Sequence, residues 1–129
     1  MVFIMNKNKC GFTLLEILTA VVVIGGLAGL AIPHYLQTLE KSRAAEGIQI
    51  LGILHQGQML VKQQTGSWAN DISEFDFTIP SSEYFDPPEA NPANHAWIKR
   101  KGSYTLRILP DGSITCSGGP PAICAQLGF

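Results

Sequence analysis

The sequence predicts an α+β fold: a long amino-terminal helix whose apolar first half protrudes and whose second half packs on a small antiparallel sheet. Three observations predict it. An apolar run from Phe12 to Pro33 holds one ionisable residue, a helical stripe of apolar side chains resumes after Pro33, and strand-like runs separated by turn residues follow His95. The chain of 129 residues suits a single core rather than two. It is 46% hydrophobic and only 15% charged, against about 25% charged in ordinary soluble domains, so part of it is expected to lie away from water. A formal charge of −1 argues against a strongly basic nucleic-acid binder and against an acidic tail.

The apolar run explains the deficit of charge. At about 1.5 Å per residue, residues 12–33 reach roughly 33 Å as a helix, and a hydrocarbon core is about 30 Å thick. A core helix of a small domain keeps a polar stripe, whereas residues 17–32 carry only Thr19 as a polar side chain. Lys7 and Lys9 precede the run, while Glu40, Lys41, Arg43 and Glu46 beyond it cancel in charge. The positive-inside bias then keeps the amino-terminal end in the cytoplasm and sends the rest outward. The run ends in Ile32-Pro33-His34-Tyr35, a poor site for signal peptidase, so the segment is expected to be retained.

Gly11-Phe12-Thr13-Leu14-Leu15-Glu16, followed by the apolar run to Pro33, resembles the amino-terminal signature of type IV pilins and the related pseudopilins. The likeness covers about 35 residues and joins a Gly-Phe junction, a lone acid at fixed spacing, an apolar run and a terminal proline. It implies a type IV pilin-like fold and a basic leader, residues 1–11, that a prepilin peptidase removes between Gly11 and Phe12. It also implies N-methylation of the new amino-terminal Phe12 and retention of residues 12–33 as transmembrane and filament-core helix. Residues 34–129 then form the outer helix half and the head. Cys10 departs from the basic or polar residue usual before the glycine.

The residues support an assembly role by themselves. A carboxyl in an apolar helix costs about 2.5–3.5 kcal/mol at mid-bilayer, so Glu16 is expected to have a partner. A freed amine on Phe12 lies one helical turn away, and is equally available to Glu16 of a neighbouring copy. Breaking such a buried pair costs about 3–5 kcal/mol. Snorkelling of Glu16 to the lipid interface is the alternative, and the two can hold in turn, snorkelling before assembly and pairing after it. Gly25, Gly26 and Gly29 weaken the helix by about 1 kcal/mol each, and Pro33 by about 3 kcal/mol more, which predicts a soft joint over residues 25–33. The same small residues allow close helix approach.

Beyond Pro33, Leu36, Leu39, Ile50, Leu51, Leu54 and Val61 share a core-facing stripe, expected to meet the core mainly from Gly47 onward. Gly47, Gly52 and Gly57 share no face and read as weak points of the helix, and Thr65-Gly66-Ser67 ends it. Residues 68–94 read as a proline-rich loop with short structured pieces. Strands are expected at 95–100, 103–109 and 113–117, with turns at Lys101-Gly102 and Pro110-Asp111-Gly112. Loss of Cys10 with the leader would leave Cys116 and Cys124 as an even pair in an exported head, where a disulfide is expected, free thiols or metal ligands being the alternatives. Family members often carry such a carboxy-terminal loop.

Other signals point to no chemistry. His34, His55 and His95 stand apart in the sequence, with no second ligand at zinc spacing. Asp111, Ser113 and the acids of residues 71–89 form no ordered run for calcium, although secretion pseudopilins bind it. Neither a metal nor another cofactor is expected, and no enzyme motif appears. Lys99-Arg100-Lys101 near Trp97 and Tyr104 reads as a solvated hairpin edge before it reads as a DNA contact, so nucleic acid is not expected as a partner. The expected function is that of a pilus subunit, stored in the inner membrane with its head in the periplasm. An inner-membrane assembly machinery would polymerise it through residues 12–33 into a homo-oligomeric surface filament for adhesion, twitching motility or DNA uptake. A pseudopilin of type II secretion and a signal-anchored periplasmic binding module that never polymerises are the alternatives.

Overall fold

The structure, a computed structural model, describes residues 11–93, 95–120 and 122–129. Lys7, Lys9, Cys10 and the rest of the expected leader up to residue 10 lie outside the described residues. The chain divides between Leu36 and Gln37 into two units.

Helix α1 spans Leu14–Thr65 and so contributes to both units. Thr13 starts it: the hydroxyl of Thr13 accepts from the Glu16 backbone N–H at 3.2 Å, the N-cap bond that a Thr-x-x-Glu sequence favours. In the first unit the described side chains of the helix are exposed. Phe12, Leu14 and Leu30 are 78%, 86% and 73% exposed, and the helix is long and apolar enough to cross a membrane. Pro33 is accommodated inside α1 although it lacks the N–H that would bond Gly29.

In the second unit α1 becomes the cover of a sheet. Its buried face comprises Ala44, Gly47, Ile50, Leu51, Leu54, Gly57, Gln58 and Val61, whereas Leu36, expected on the same stripe, is exposed and belongs to the first unit. Leu51 and Leu54 are fully buried, each stabilising the unit by about 1.5–3 kcal/mol. Gly47 and Gly57 are not weak points, contrary to the expectation from their spacing. A Cβ on Gly47 would stand 2.7 Å from the ring of Phe85 and one on Gly57 would stand 2.8 Å from that of Phe77. The rings of the following loop seat directly on the helix backbone, and only glycine leaves the space. Gly52 faces open space, as a weak point would. The helix ends where Gly66, at φ 83°, turns left-handed and its N–H bonds the carbonyl of Lys62 at 2.8 Å.

The loop after α1 carries one 3₁₀ turn, Ile72–Glu74, and contributes Phe75 and Phe85 to the core. Four strands follow: β1 Glu89–Asn91, β2 His95–Lys99, β3 Tyr104–Ile108 and β4 Ile114–Gly118. They form one antiparallel sheet in the order β1-β2-β3-β4. Strands β2, β3 and β4 lie where alternation predicts them. Three-residue β1 was legible only as a structured piece of loop. Ala96, Ile98, Tyr104, Leu106 and Ile108 face α1 and are buried. Gly102 and Gly112 have positive φ in the two predicted turns, and the Asp111 carboxylate closes the second by accepting from the Ser113 N–H at 2.9 Å.

Strand β4 leads into helix α2, Ile123–Leu127, which the sequence reading did not anticipate. Cys116 and Cys124 form a disulfide between them, with a Cα–Cα distance of 5.6 Å and a sequence separation of 8. Closing so short a loop contributes about 2.5 kcal/mol. The Cys124→Ser chain is therefore expected to unfold at lower denaturant concentration than wild type. Reductant should abolish that difference, and a difference surviving reduction would place the stabilisation elsewhere.

Candidate functional site

The first unit gathers Gly11, Phe12 and Glu16 at the start of α1. Glu16 sits in the first helical turn, where a carboxylate is favoured by the helix dipole. Its backbone carbonyl accepts from the Thr19 hydroxyl at 3.0 Å. Gly25, Gly26 and Gly29 lie within α1, and a Cβ on any of them would meet nothing within 4 Å. Their lack of side chains therefore serves no contact among the described residues. The segment offers an apolar helical surface, a strip of small residues and one carboxylate, the elements from which close helix association in an apolar medium is built.

The second unit contains two polar clusters that the sequence did not disclose as groups. In the first, Glu40 is the shared acceptor. The Nε of Arg100 meets its carboxylate at 3.0 Å and the Nη1 of Arg43 at 3.1 Å, and the Tyr104 hydroxyl donates to it at 3.2 Å. Both guanidinium groups lie over the ring of Tyr84, at 4.7 and 5.6 Å from its centroid. Glu40 and Arg43, which interrupt the apolar stripe in sequence, thus fasten the start of the packed helix segment to β3 and to the residue after β2. Burial draws the Glu40 carboxyl upward, but the hydrogen bonds from Arg100 and Arg43, with the charge of Arg100, outweigh it and hold the carboxyl below 4.5. Burial and the Glu40 carboxylate raise the Tyr104 hydroxyl to about 12.

A lowered carboxyl stabilises the fold above its unfolded value and ceases to do so as pH falls through its folded value. The gap in melting temperature between wild type and Glu40→Gln is expected to be steady above about pH 4.5 and to narrow under more acid conditions. A gap independent of pH would show that the carboxylate charge does not contribute.

The second cluster corrects the reading of isolated histidines. The Nδ1 of His55 and the Nε2 of His95 are 2.8 Å apart, and the ring of Trp68 stands edge-on to His95 at 4.6 Å. Burial, then the nearby charges of His55 and Lys62, lowers His95 to about 4, so it is neutral at physiological pH. His95 has a left-handed backbone, φ 64°, which turns its side chain toward α1 although residues 95, 97 and 99 would share a face in a regular strand. The two histidines are 40 residues apart. The only hint in the sequence was that His55 lies one turn from Leu51 and from Gln58 on the buried stripe. Among the described residues no three His, Cys, Asp or Glu side chains converge as metal ligands.

Lys99, Arg100 and Lys101 do not form one basic patch. Arg100 turns to Glu40, Lys101 donates to the Glu83 carbonyl at 2.7 Å, and Lys99 lies exposed on the face of the sheet away from α1.

Residues 6–32 match the family model described as the prokaryotic N-terminal methylation motif. The chain is type IV pilin-like. Over 46 residues it is 48% identical to a type IV major fimbrial protein, FimA, of Dichelobacter nodosus, covering 36% of this chain and 29% of that protein. Over 118 residues it is 26% identical to a type IV major pilin protein, PilA, of Myxococcus xanthus, covering 89% of this chain and 49% of that one. The matches thus span half or less of these relatives' own length. No solved structure matches the chain. The family model's match lies within the first unit; beyond it the likeness is the 26% identity to the PilA protein.

Proposed function

We propose that this chain is a structural subunit of a type IV pilus. It is made as a prepilin with leader residues 1–11, cut between Gly11 and Phe12 by a prepilin peptidase and N-methylated on Phe12. It is stored in the inner membrane through residues 12–33, its amino terminus cytoplasmic and its head periplasmic, until the inner-membrane machinery polymerises it. Glu16 of one copy pairs with the Phe12 amine of another, residues 25–33 give where the helices crowd, and residues 34–129 form the outer surface. The observation that carries this reading is that α1 leaves its whole apolar first half unpacked beneath a methylation motif. A lone chain gains nothing from such a helix in water, and lipid or sister helices cover it. The named relatives are fimbrial and pilin proteins, which favours a pilus over a secretion pseudopilus. The work of the polymer would be adhesion, twitching motility or DNA uptake.

Electron microscopy of material sheared from producing cells, with and without this chain, tests the proposal. Filaments containing it, with a mass starting at methylated Phe12, are expected. Filaments containing a chain that still begins at Met1, or a chain that never enters filaments, would overturn it.

A further inference from the structure

The sheet has a second face. Alternation sends Trp97 and Lys99 of β2, Thr105 and Arg107 of β3 and Ser117 of β4 away from α1. The strand register sets them in two rows. Glu89 is opposite Trp97, Trp97 opposite Arg107, and Arg107 opposite Thr115. In the adjacent row Lys99 is opposite Thr105, and Thr105 opposite Ser117. Directly opposed side chains in such a pair stand about 5 Å apart, so an aromatic ring, a guanidinium and a carboxylate share one short row with a lysine and two hydroxyls beside it.

These side chains, together with Glu89, Asp86 and Pro87, line an open cleft of about 600 Å³. The Nε of Arg107 is shielded from solvent and has no acceptor among the described residues. Lys99 likewise has no side-chain ion pair there. A shielded guanidinium N–H without a partner costs free energy that nothing among the described residues returns. The terminal amino groups of Arg107 are not shielded in this way, and they are the donors open to the cleft.

The occupant follows from the charges. Arg107 presents a planar fork suited to a carboxylate, and Lys99 adds a second cation. Glu89 and Asp86 accept hydrogen bonds but repel anions, so a polymer with a phosphate at every residue would set like charges against them. A molecule with a carboxylate at one position and hydroxyl donors at others satisfies both pairs. Trp97 offers an apolar plane flanked by hydrogen-bonding groups, which suits the C–H face of a pyranose ring and the polar edge around it. We propose that this face of the sheet binds an acidic saccharide. The uronate carboxylate lies on Arg107, the ring on Trp97, and its hydroxyls donate to Glu89 and Asp86 and accept from Lys99 and Thr105.

Tetragalacturonate titrated calorimetrically into the full chain, in a detergent without a sugar headgroup, tests this. Saturable binding is expected, weakened at least tenfold for the fully methyl-esterified tetrasaccharide, which keeps the rings and loses the charge. Arg107→Gln and Trp97→Ala should each lose at least tenfold, while Arg107→Lys and Trp97→Phe retain part of the affinity. Thermal melts identify any variant that fails to fold. The absence of saturable binding to the folded wild type, equal binding of the methyl ester, full affinity in both folded Arg107→Gln and folded Trp97→Ala, or tighter binding of an oligothymidylate would each overturn it. The Glu16→Ala chain should bind the saccharide as wild type does, so loss of assembly and loss of binding are separable.

Discussion

The Glu16→Ala chain is expected to reach the membrane and to be cleaved in normal amounts, yet to be missing from sheared filaments. The substitution removes the one ionisable side chain between Phe12 and Pro33. It leaves the Thr13 cap intact, because that bond uses the Glu16 backbone N–H and not its carboxylate. Insertion itself should improve, since a carboxyl in hydrocarbon is unfavourable. Assembly would instead leave each buried Phe12 amine without a counter-charge, a cost of about 3–5 kcal/mol per contact, or more than a hundredfold in the affinity of each addition. Quantifying this chain in membrane and sheared fractions by immunoblot checks the prediction. Wild-type incorporation would remove Glu16 from the assembly contact while leaving the membrane anchor unaffected.

The second large effect concerns the head. Gln58 is fully buried. Its amide nitrogen donates to the carbonyls of His95 and Ala69 at 3.0 and 3.3 Å, and its oxygen accepts from the Ala69 N–H at 2.9 Å. One side chain thereby ties α1 to the chain just beyond its own end and to the first residue of β2. Gln58→Leu matches the volume and the surrounding apolarity but leaves the Ala69 N–H buried without an acceptor, at about 1–3 kcal/mol for that group, with further loss at the two carbonyls. A loss of about 3 kcal/mol in chemical denaturation is expected. Gln56→Leu, on the exposed side of the same helix, should change stability by less than about 0.5 kcal/mol. Equal effects at the two positions would mean that the buried amide is not what holds these segments together.

The helix, the three hairpin-linked strands β2 to β4 and the disulfide were legible because each depends on local pattern. Apolar periodicity drew the buried face of α1, alternation drew β2 to β4, and Cys116 and Cys124 had no other partner once Cys10 was assigned to the leader. The apolar first unit was legible for the same reason, since its pattern lies in consecutive residues. What the sequence concealed depends on distance or on a single backbone angle. Nothing near Glu40 announces Arg100, which is 60 residues away. Gly47 and Gly57 read as weak points because the aromatic rings that occupy their space come from a loop without periodicity. His95 read as an isolated strand residue because its left-handed φ reverses the face that alternation assigns to it. The outward row of Glu89, Trp97, Arg107 and Thr115 was hidden by register, which joins residues from four strands only after the sheet exists.

That register is simple: each strand bonds the one made just before or after it. Folding rate falls as contacting residues lie farther apart along a chain, and hairpins close within about 1–10 μs. A ribosome delivers α1 first, so Leu51 and Leu54 already form a surface when the hairpins arrive, and the sheet can grow in the direction of synthesis without waiting for the last residue. The bridge between Cys116 and Cys124 spans a sequence separation of only 8 and joins β4 to α2, so it leaves the pairing of the four strands to their own hydrogen bonds.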